Sequence, residues 1–187
     1  MKPIATWLIY GANGYTGTLL AREAVARNMR PVLAGRSRAA IERLGRELGC
    51  ETRTMSLDDP DLGRSLVGVS CVLLLAGPLS RTSRPVLEAC LKARCHYLDL
   101  TGELEVIEAC YARHDDALAA GIAVVPAVGF NVAPMDCLAA KLAHEGDRPT
   151  ALELGFEGYE ISAGTAKTYS EGIALGNARF AGGRLLR

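Results

Sequence analysis

Short apolar runs rich in β-branched residues alternate along this chain with longer stretches whose apolar positions recur at helical spacing. Ile4–Tyr10, Pro31–Ala34, Cys71–Ala76, Tyr97–Leu100 and Ile122–Val125 read as strands, and Glu51–Met55 as a weaker one. Cys71–Ala76 is apolar throughout, as a strand covered on both faces requires. Between the strands, Tyr15–Asn28 carries Leu19, Leu20, Ala24 and Val25 at helical spacing. Ala39–Leu48 is a helix stopped by Gly49, and Leu104–Ala120 one stopped by Gly121. Asp61–Val67, Arg84–Ala93 and Pro134–His144 complete the helices.

Six β-α units in succession predict a parallel sheet with helices on both faces. With right-handed crossovers, the leading arrangement is the doubly wound Rossmann α/β fold of strand order 3-2-1-4-5-6. Composition shifts at Glu145–Pro149. Beyond it, Ala151–Glu157 alternates like a strand with one wet face, and a helix is expected from Gly164 to about Ala178. The expected division is a dinucleotide-binding domain over 1–145 and, over 150–187, the beginning of an incomplete mixed α/β second domain serving substrate binding or dimerisation. A strand at Ala151–Glu157 would have unpaired edges, so either disorder or pairing with a second copy is expected, the second giving a homodimer through it, and little turnover is expected from this chain alone.

The chemistry-bearing segments fall at the carboxyl ends of the strands. Gly11-Ala12-Asn13-Gly14-Tyr15-Thr16-Gly17 lies between the first strand and the first helix. Glycines there permit a tight turn, close approach of backbone to a pyrophosphate and close helix–sheet packing. The helix amides and dipole then favour phosphate. Its spacing is G-x-x-G-x-x-G, and no Gly-Lys pair exists for a Walker-type loop. Gly35-Arg36-Ser37-Arg38 ends the second strand, with no acid between Glu23 and Glu42. An NAD site usually places an acid there for the ribose hydroxyls. Arg36 offers a planar cationic fork suited to a 2′-phosphate, with Ser37 as a further donor, so NADP is the expected cofactor. Ala76-Gly77-Pro78, Thr101-Gly102 and Gly129-Phe130-Asn131 lie on the same edge. Glu103 is either a substrate-cleft carboxylate or a first-turn helix acid, and Asn131 either a cleft residue or a turn residue ahead of Pro134.

Charge and composition narrow the function class. There are 21 basic and 21 acidic residues, so no basic footprint for nucleic acid is present. No apolar run approaches the length of a membrane span, and the cytoplasm is the default location. The six cysteines include no C-x-x-C pair and read as reduced, mostly buried thiols, with no metal site. No tyrosine is followed by lysine at the Tyr-x-x-x-Lys spacing of short-chain dehydrogenases.

Taken in order, Ile9–Gly17, Ala34–Ser37, Ala76–Pro78, Tyr97–Glu103 and Val128–Asn131 resemble the saccharopine dehydrogenase-like family, in particular its trans-acting enoyl reductase branch. The resemblance implies an NADP-binding domain followed by a mixed α/β domain that completes a cleft for a small-molecule or acyl substrate. The function expected is NADP-dependent oxidoreduction by hydride transfer. A redox-inactive NADP-binding sensor or regulatory module, needing the glycine loop and Arg36 but no catalytic acid, is the alternative.

Overall fold

A computed structural model describes residues 6–130, 132–146, 150–155 and 157, together with residues 166, 170, 179–181 and 184–186. Six strands form one parallel sheet: β1 (Trp7–Tyr10), β2 (Val32–Gly35), β3 (Thr52–Thr54), β4 (Cys71–Leu74), β5 (His96–Asp99) and β6 (Val124–Val125). Their order is β3-β2-β1-β4-β5-β6, the doubly wound order expected from the sequence. Connection direction reverses at β1, which pairs with β2 through Leu8↔Val32 and with β4 through Leu8↔Val72. That reversal opens a crevice at the carboxyl ends of β1 and β4.

The pleat explains why the strands are apolar on both sides. Leu8 and Tyr10 point into one layer with Val32, Val72, Leu74, Tyr97 and the inner face of α3 (Leu79–Ala93). Ile9 and Leu33, one residue out of phase, point into the other. There they meet Ala21 of α1 (Tyr15–Ala26) and Ile41 and Leu44 of α2 (Arg38–Leu48). Leu8, Ile9 and Leu33 are fully buried, each contributing about 1.5–3 kcal/mol of transfer free energy.

Several expected elements differ in detail. The helix expected from Arg84 begins at Leu79, immediately after Pro78. Pro85 lies inside it and lacks the amide that would bond the Arg81 carbonyl, but buried Leu79, Ser83 and Val86 hold the first turns against the core. The long helix expected over Leu104–Ala120 is two, α4 (Leu104–Tyr111) and α5 (His114–Ala120). Asp115 and Asp116 favour a new helix N-terminus there, and Arg113 pairs with Glu88 of α3 and with Asp116 at 2.6 Å. The short helix expected at Asp61–Val67 is a 3-10 turn over Leu62–Leu66.

The last helix of the unit, α6 (Ala133–Glu145), buries none of its residues, so Cys137 is exposed, unlike the expected buried thiols. The strand expected at Ala151–Glu157 is absent among its described residues, 151–155 and 157. Its alternation is real, but none of these residues finds a ladder partner, and an unpaired strand has nowhere to place its amides. The expected helix over Gly164–Ala178 lies almost wholly outside the described residues. The chain divides into compact units Met1–Gly155 and Phe156–Arg187. The second contains an antiparallel pair, β7 (Arg179–Ala181) and β8 (Arg184–Leu186), which the sequence pattern did not reveal. Among the described residues, no helix is long and apolar enough to cross a membrane.

Candidate functional site

The parallel sheet delivers the glycine loop, the β2 exit and the β4 exit to one place. Leaving β1, Gly11 adopts φ +89°, and its amide and that of Ala12 donate to the Ala34 carbonyl at 2.8 and 3.1 Å. A Cβ on Gly11 would lie 2.7 Å from the Ala76 nitrogen, so the loop passes directly against the end of β4. A Cβ on Gly17 would lie 2.2 Å from the Gly11 carbonyl oxygen. Both glycines are therefore demanded by the fold.

Gly14 differs. Its φ of −76° suits any residue, and only the Gly11 oxygen, at 3.2 Å, lies within contact range of a Cβ there. It precedes α1, whose first turn has no side-chain cap. An uncapped helix start with an open cradle before it is a binding place for a phosphate. Thr16 lies in that first turn, half-buried, whereas the Tyr15 side chain is 72% exposed. Thr18, not singled out in the sequence, donates its hydroxyl to the Ala12 carbonyl at 3.2 Å and braces the loop.

At the β2 exit, a Cβ on Gly35 would lie 2.8 Å from Asn13 Oδ1. A side chain there would displace Asn13 from the strand end and press on buried Ile41. Arg36, Ser37 and Arg38 are exposed. They are not equivalent. Arg38 is engaged with Glu42 at 2.7 Å on its own helix, whereas Arg36 makes no ion pair with a described residue. Ser37 precedes α2 with no side-chain cap bond, leaving its hydroxyl available. Burial pushes the Tyr10 phenol up, Arg36 opposes that rise and Asp58 adds to it, so both charges stand close to Tyr10. The Tyr10 hydroxyl donates to the Met55 carbonyl at 3.2 Å and ties β1 to the chain leaving β3.

At the β4 exit, Ala76 and Pro78 are half-buried and Gly77 is exposed with open space around it. The Thr82 hydroxyl donates to the Ala76 carbonyl at 2.6 Å. Further along the edge, Thr101 is buried and Gly102 exposed. The Thr101 hydroxyl donates to Glu103 Oε2, and the Glu103 amide donates back to Thr101 Oγ1 at 3.1 Å. Glu103 Oε2 also accepts the Gly102 amide at 3.3 Å, so this carboxylate is turned onto its own loop at the start of α4. Asn131 lies outside the described residues.

Two residues of the Tyr97–Glu103 segment to which the sequence assigned no role organise this end. Asp99 is fully buried. Its Oδ1 accepts the amides of Thr101 and Ala127, each at 2.9 Å, and its Oδ2 accepts the Tyr97 hydroxyl at 2.6 Å. Burial and the Asp99 charge hold the Tyr97 phenol well above the usual tyrosine range. The available signal was an acid inside the otherwise apolar run Tyr97–Leu100. A cavity of about 370 Å³ lies elsewhere, between the 3-10 turn and α3 beside Leu62, Arg64 and Lys92. A shallow cleft at a sheet edge need not enclose volume.

Residues 7–125 match the profile of the saccharopine dehydrogenase NADP binding domain. The chain is 32% identical over 156 residues to a protein of Arabidopsis thaliana named "Probable mitochondrial saccharopine dehydrogenase-like oxidoreductase", covering 72% of this chain and 34% of that one. It is 31% identical over 183 residues to the trans-acting enoyl reductase of Mycobacterium ulcerans, covering 89% of this chain and 44% of the relative. The chain thus spans between a third and a half of the length of these relatives. Its fold is similar to that of apo saccharopine dehydrogenase (L-Glu forming) from Saccharomyces cerevisiae, with a TM-score of 0.64 at 18% identity over 76% of this chain and 31% of that one.

Proposed function

The chain belongs to the saccharopine dehydrogenase NADP binding domain family, and from that premise we propose that it binds NADP(H) for an oxidoreductase whose substrate is a small-molecule or acyl compound. The observation that carries this reading is Gly14. Its backbone angle does not require glycine, and a Cβ there would press on one atom alone, the Gly11 carbonyl oxygen at 3.2 Å, while the space before the uncapped helix start is open. The missing side chain leaves room there for a pyrophosphate.

The residues along this edge would hold a dinucleotide in the following order. The amides of Tyr15, Thr16 and Gly17 at the start of α1 would hold the pyrophosphate. Asn13, lying over Gly35, would face the adenosine ribose. The Arg36 guanidinium, with no ion-pair partner among described residues, would take the 2′-phosphate, assisted by Ser37. Arg38 is a poorer candidate because Glu42 already holds it. Ala76, Gly77 and Pro78 would line the middle of the cleft, and Thr101 and Gly102 the far end. When bound, the cofactor supplies or accepts the hydride. The protein's part is to fix the ring against the sheet edge, keep water from it and orient a substrate beside it. Glu103, held by Thr101 and Gly102, would shape that end.

Equilibrium dialysis tests the reading. Saturable binding of one NADPH per chain is expected, lost when Gly14 is replaced by Val in a protein that still folds. Absence of saturable binding by the folded chain would overturn it.

A further inference from the structure

Among the described residues, three that are not glycine have positive φ: Asn28 at 60°, Arg94 at 53° and Ala127 at 62°. The first two end α1 and α3, where a left-handed residue turns the following amide back onto the helix, Met29 to the Ala24 carbonyl and Cys95 to the Cys90 carbonyl. Ala127 ends no helix. It follows β6, is buried, and has no polar side chain with which to stabilise a left-handed backbone locally. Something outside the residue must hold it there.

Asp99 does so with both its side chain and its backbone. Oδ1 accepts the Ala127 amide at 2.9 Å, and the Asp99 carbonyl accepts the next amide, that of Val128, also at 2.9 Å. Two consecutive amides of the β6 exit are thus fixed by one residue at the end of β5. The same Oδ1 accepts the Thr101 amide, so a single buried oxygen joins the two loops. The segment then runs over β5: a Cβ on Gly129 would lie 3.4 Å from the Leu100 Cβ, and Phe130 follows, 82% exposed.

We propose that Asp99 is a positioning residue which, by holding Ala127 in the left-handed conformation, fixes the Ala127–Phe130 segment across the exit of β5 as a preformed wall at the end of the sheet edge away from Arg36. That this wall bounds the nicotinamide half of the cofactor rests on the cofactor reading above; the clamp itself does not. A carboxylate oxygen is suited to the task because its charge supports two amide donors at once, with Tyr97 anchoring the other oxygen.

Asp99→Asn, Ala127→Gly and the double variant test it with two readouts. One is native-state cleavage after Phe130 by chymotrypsin, identified by fragment mass. The other is the dissociation constants of NADPH and NADH. Asp99→Asn leaves one neutral oxygen to hold both amides and turns a donor NH2 toward Tyr97, so it should speed the cleavage several-fold, toward the roughly tenfold that a fully released left-handed alanine implies. It should weaken both cofactors by a similar factor and leave their ratio unchanged, because the ratio is set at Arg36. Adding Ala127→Gly should restore most of both effects, since glycine adopts this conformation without cost. Unchanged cleavage in Asp99→Asn, or no rescue in the double variant, overturns the proposal. If the wild-type chain binds neither nicotinamide, the cofactor reading fails while the cleavage arm still decides the clamp. If Asp99→Asn does not fold, Ala127→Gly alone decides: a strained alanine gains thermal stability as glycine, and a lowered melting temperature overturns the proposal.

Discussion

Replacing Gly14 and Gly17 separately should dissect ligand binding from folding within one seven-residue loop. A Cβ at Gly17 falls 2.2 Å from the Gly11 carbonyl oxygen and 2.8 Å from the Ala12 Cα. Both are backbone atoms pinned by β1, so α1 must move outward. Overpacking of this kind costs about 1–3 kcal/mol. In a domain of this size that lowers the melting temperature by about 2–4 °C for each kcal/mol. Gly14→Val meets only the Gly11 oxygen, at 3.2 Å from its Cβ, with a φ of −76° that valine accepts. With that tight contact and a poorer helix start, its cost to stability should be about 1 kcal/mol. Its effect on cofactor should be large, because the new side chain fills the cradle before α1. Losing two charge-assisted bonds, at about 1.5–3 kcal/mol each, weakens NADPH by on the order of a hundredfold or more. Thermal melts and equilibrium dialysis on Gly14→Val and Gly17→Ala give the comparison. A folded Gly14→Val protein with unchanged NADPH affinity, or a Gly17→Ala protein with unchanged stability, would refute this assignment of roles.

Arg38→Ala should leave the NADPH-to-NADH preference unchanged and barely move the stability, because its pair with Glu42 is exposed and screened by solvent; denaturant titration and cofactor binding check both. Stability should fall as pH rises above about 9. Burial pushes the Cys110 thiol up to about 12 and the Cys71 thiol up to about 11, from an ordinary 9.0. Below pH 9 both folded and unfolded states keep these protons; above it only the unfolded state loses them, at about 1.4 kcal/mol per pH unit for a fully protected thiol. Urea unfolding on either side of pH 9 should show this decline, flattened in Cys110→Ala; a pH-independent midpoint would contradict it.

The strand order was readable because each β-α unit announces itself: an apolar run, a glycine-bearing exit, then a helical period. Gly11 to Gly17 could be located that way but not differentiated, since a glycine forced by the Gly11–Ala76 contact and one left open at Gly14 are the same letter. Arg36 and Arg38 posed the same problem, and only the position of Glu42 one helical turn on separates the engaged arginine from the free one. Asp99 escaped because its role depends on Ala127, 28 residues away in sequence. The break between α4 and α5 escaped because the apolar period of Leu104–Ala120 runs through it, while the cause is an ion pair reaching from Arg113 to Glu88 on another helix. At Ala151–Glu157 the alternation suggested a strand, but a period of two says nothing about whether a neighbouring strand is present to pair.

The central claim, an NADP-selective dinucleotide site whose selectivity resides in Arg36, is tested most directly by measuring NADPH and NADH dissociation constants side by side for the wild-type chain and Arg36→Ala. A charge-assisted contact to the 2′-phosphate, worth about 1.5–3 kcal/mol, predicts NADPH tighter by about ten- to a hundredfold in the wild type, with the two constants converging in the variant while NADH affinity stays put. Equal affinities in the wild type, or a preference that survives in Arg36→Ala, would contradict it.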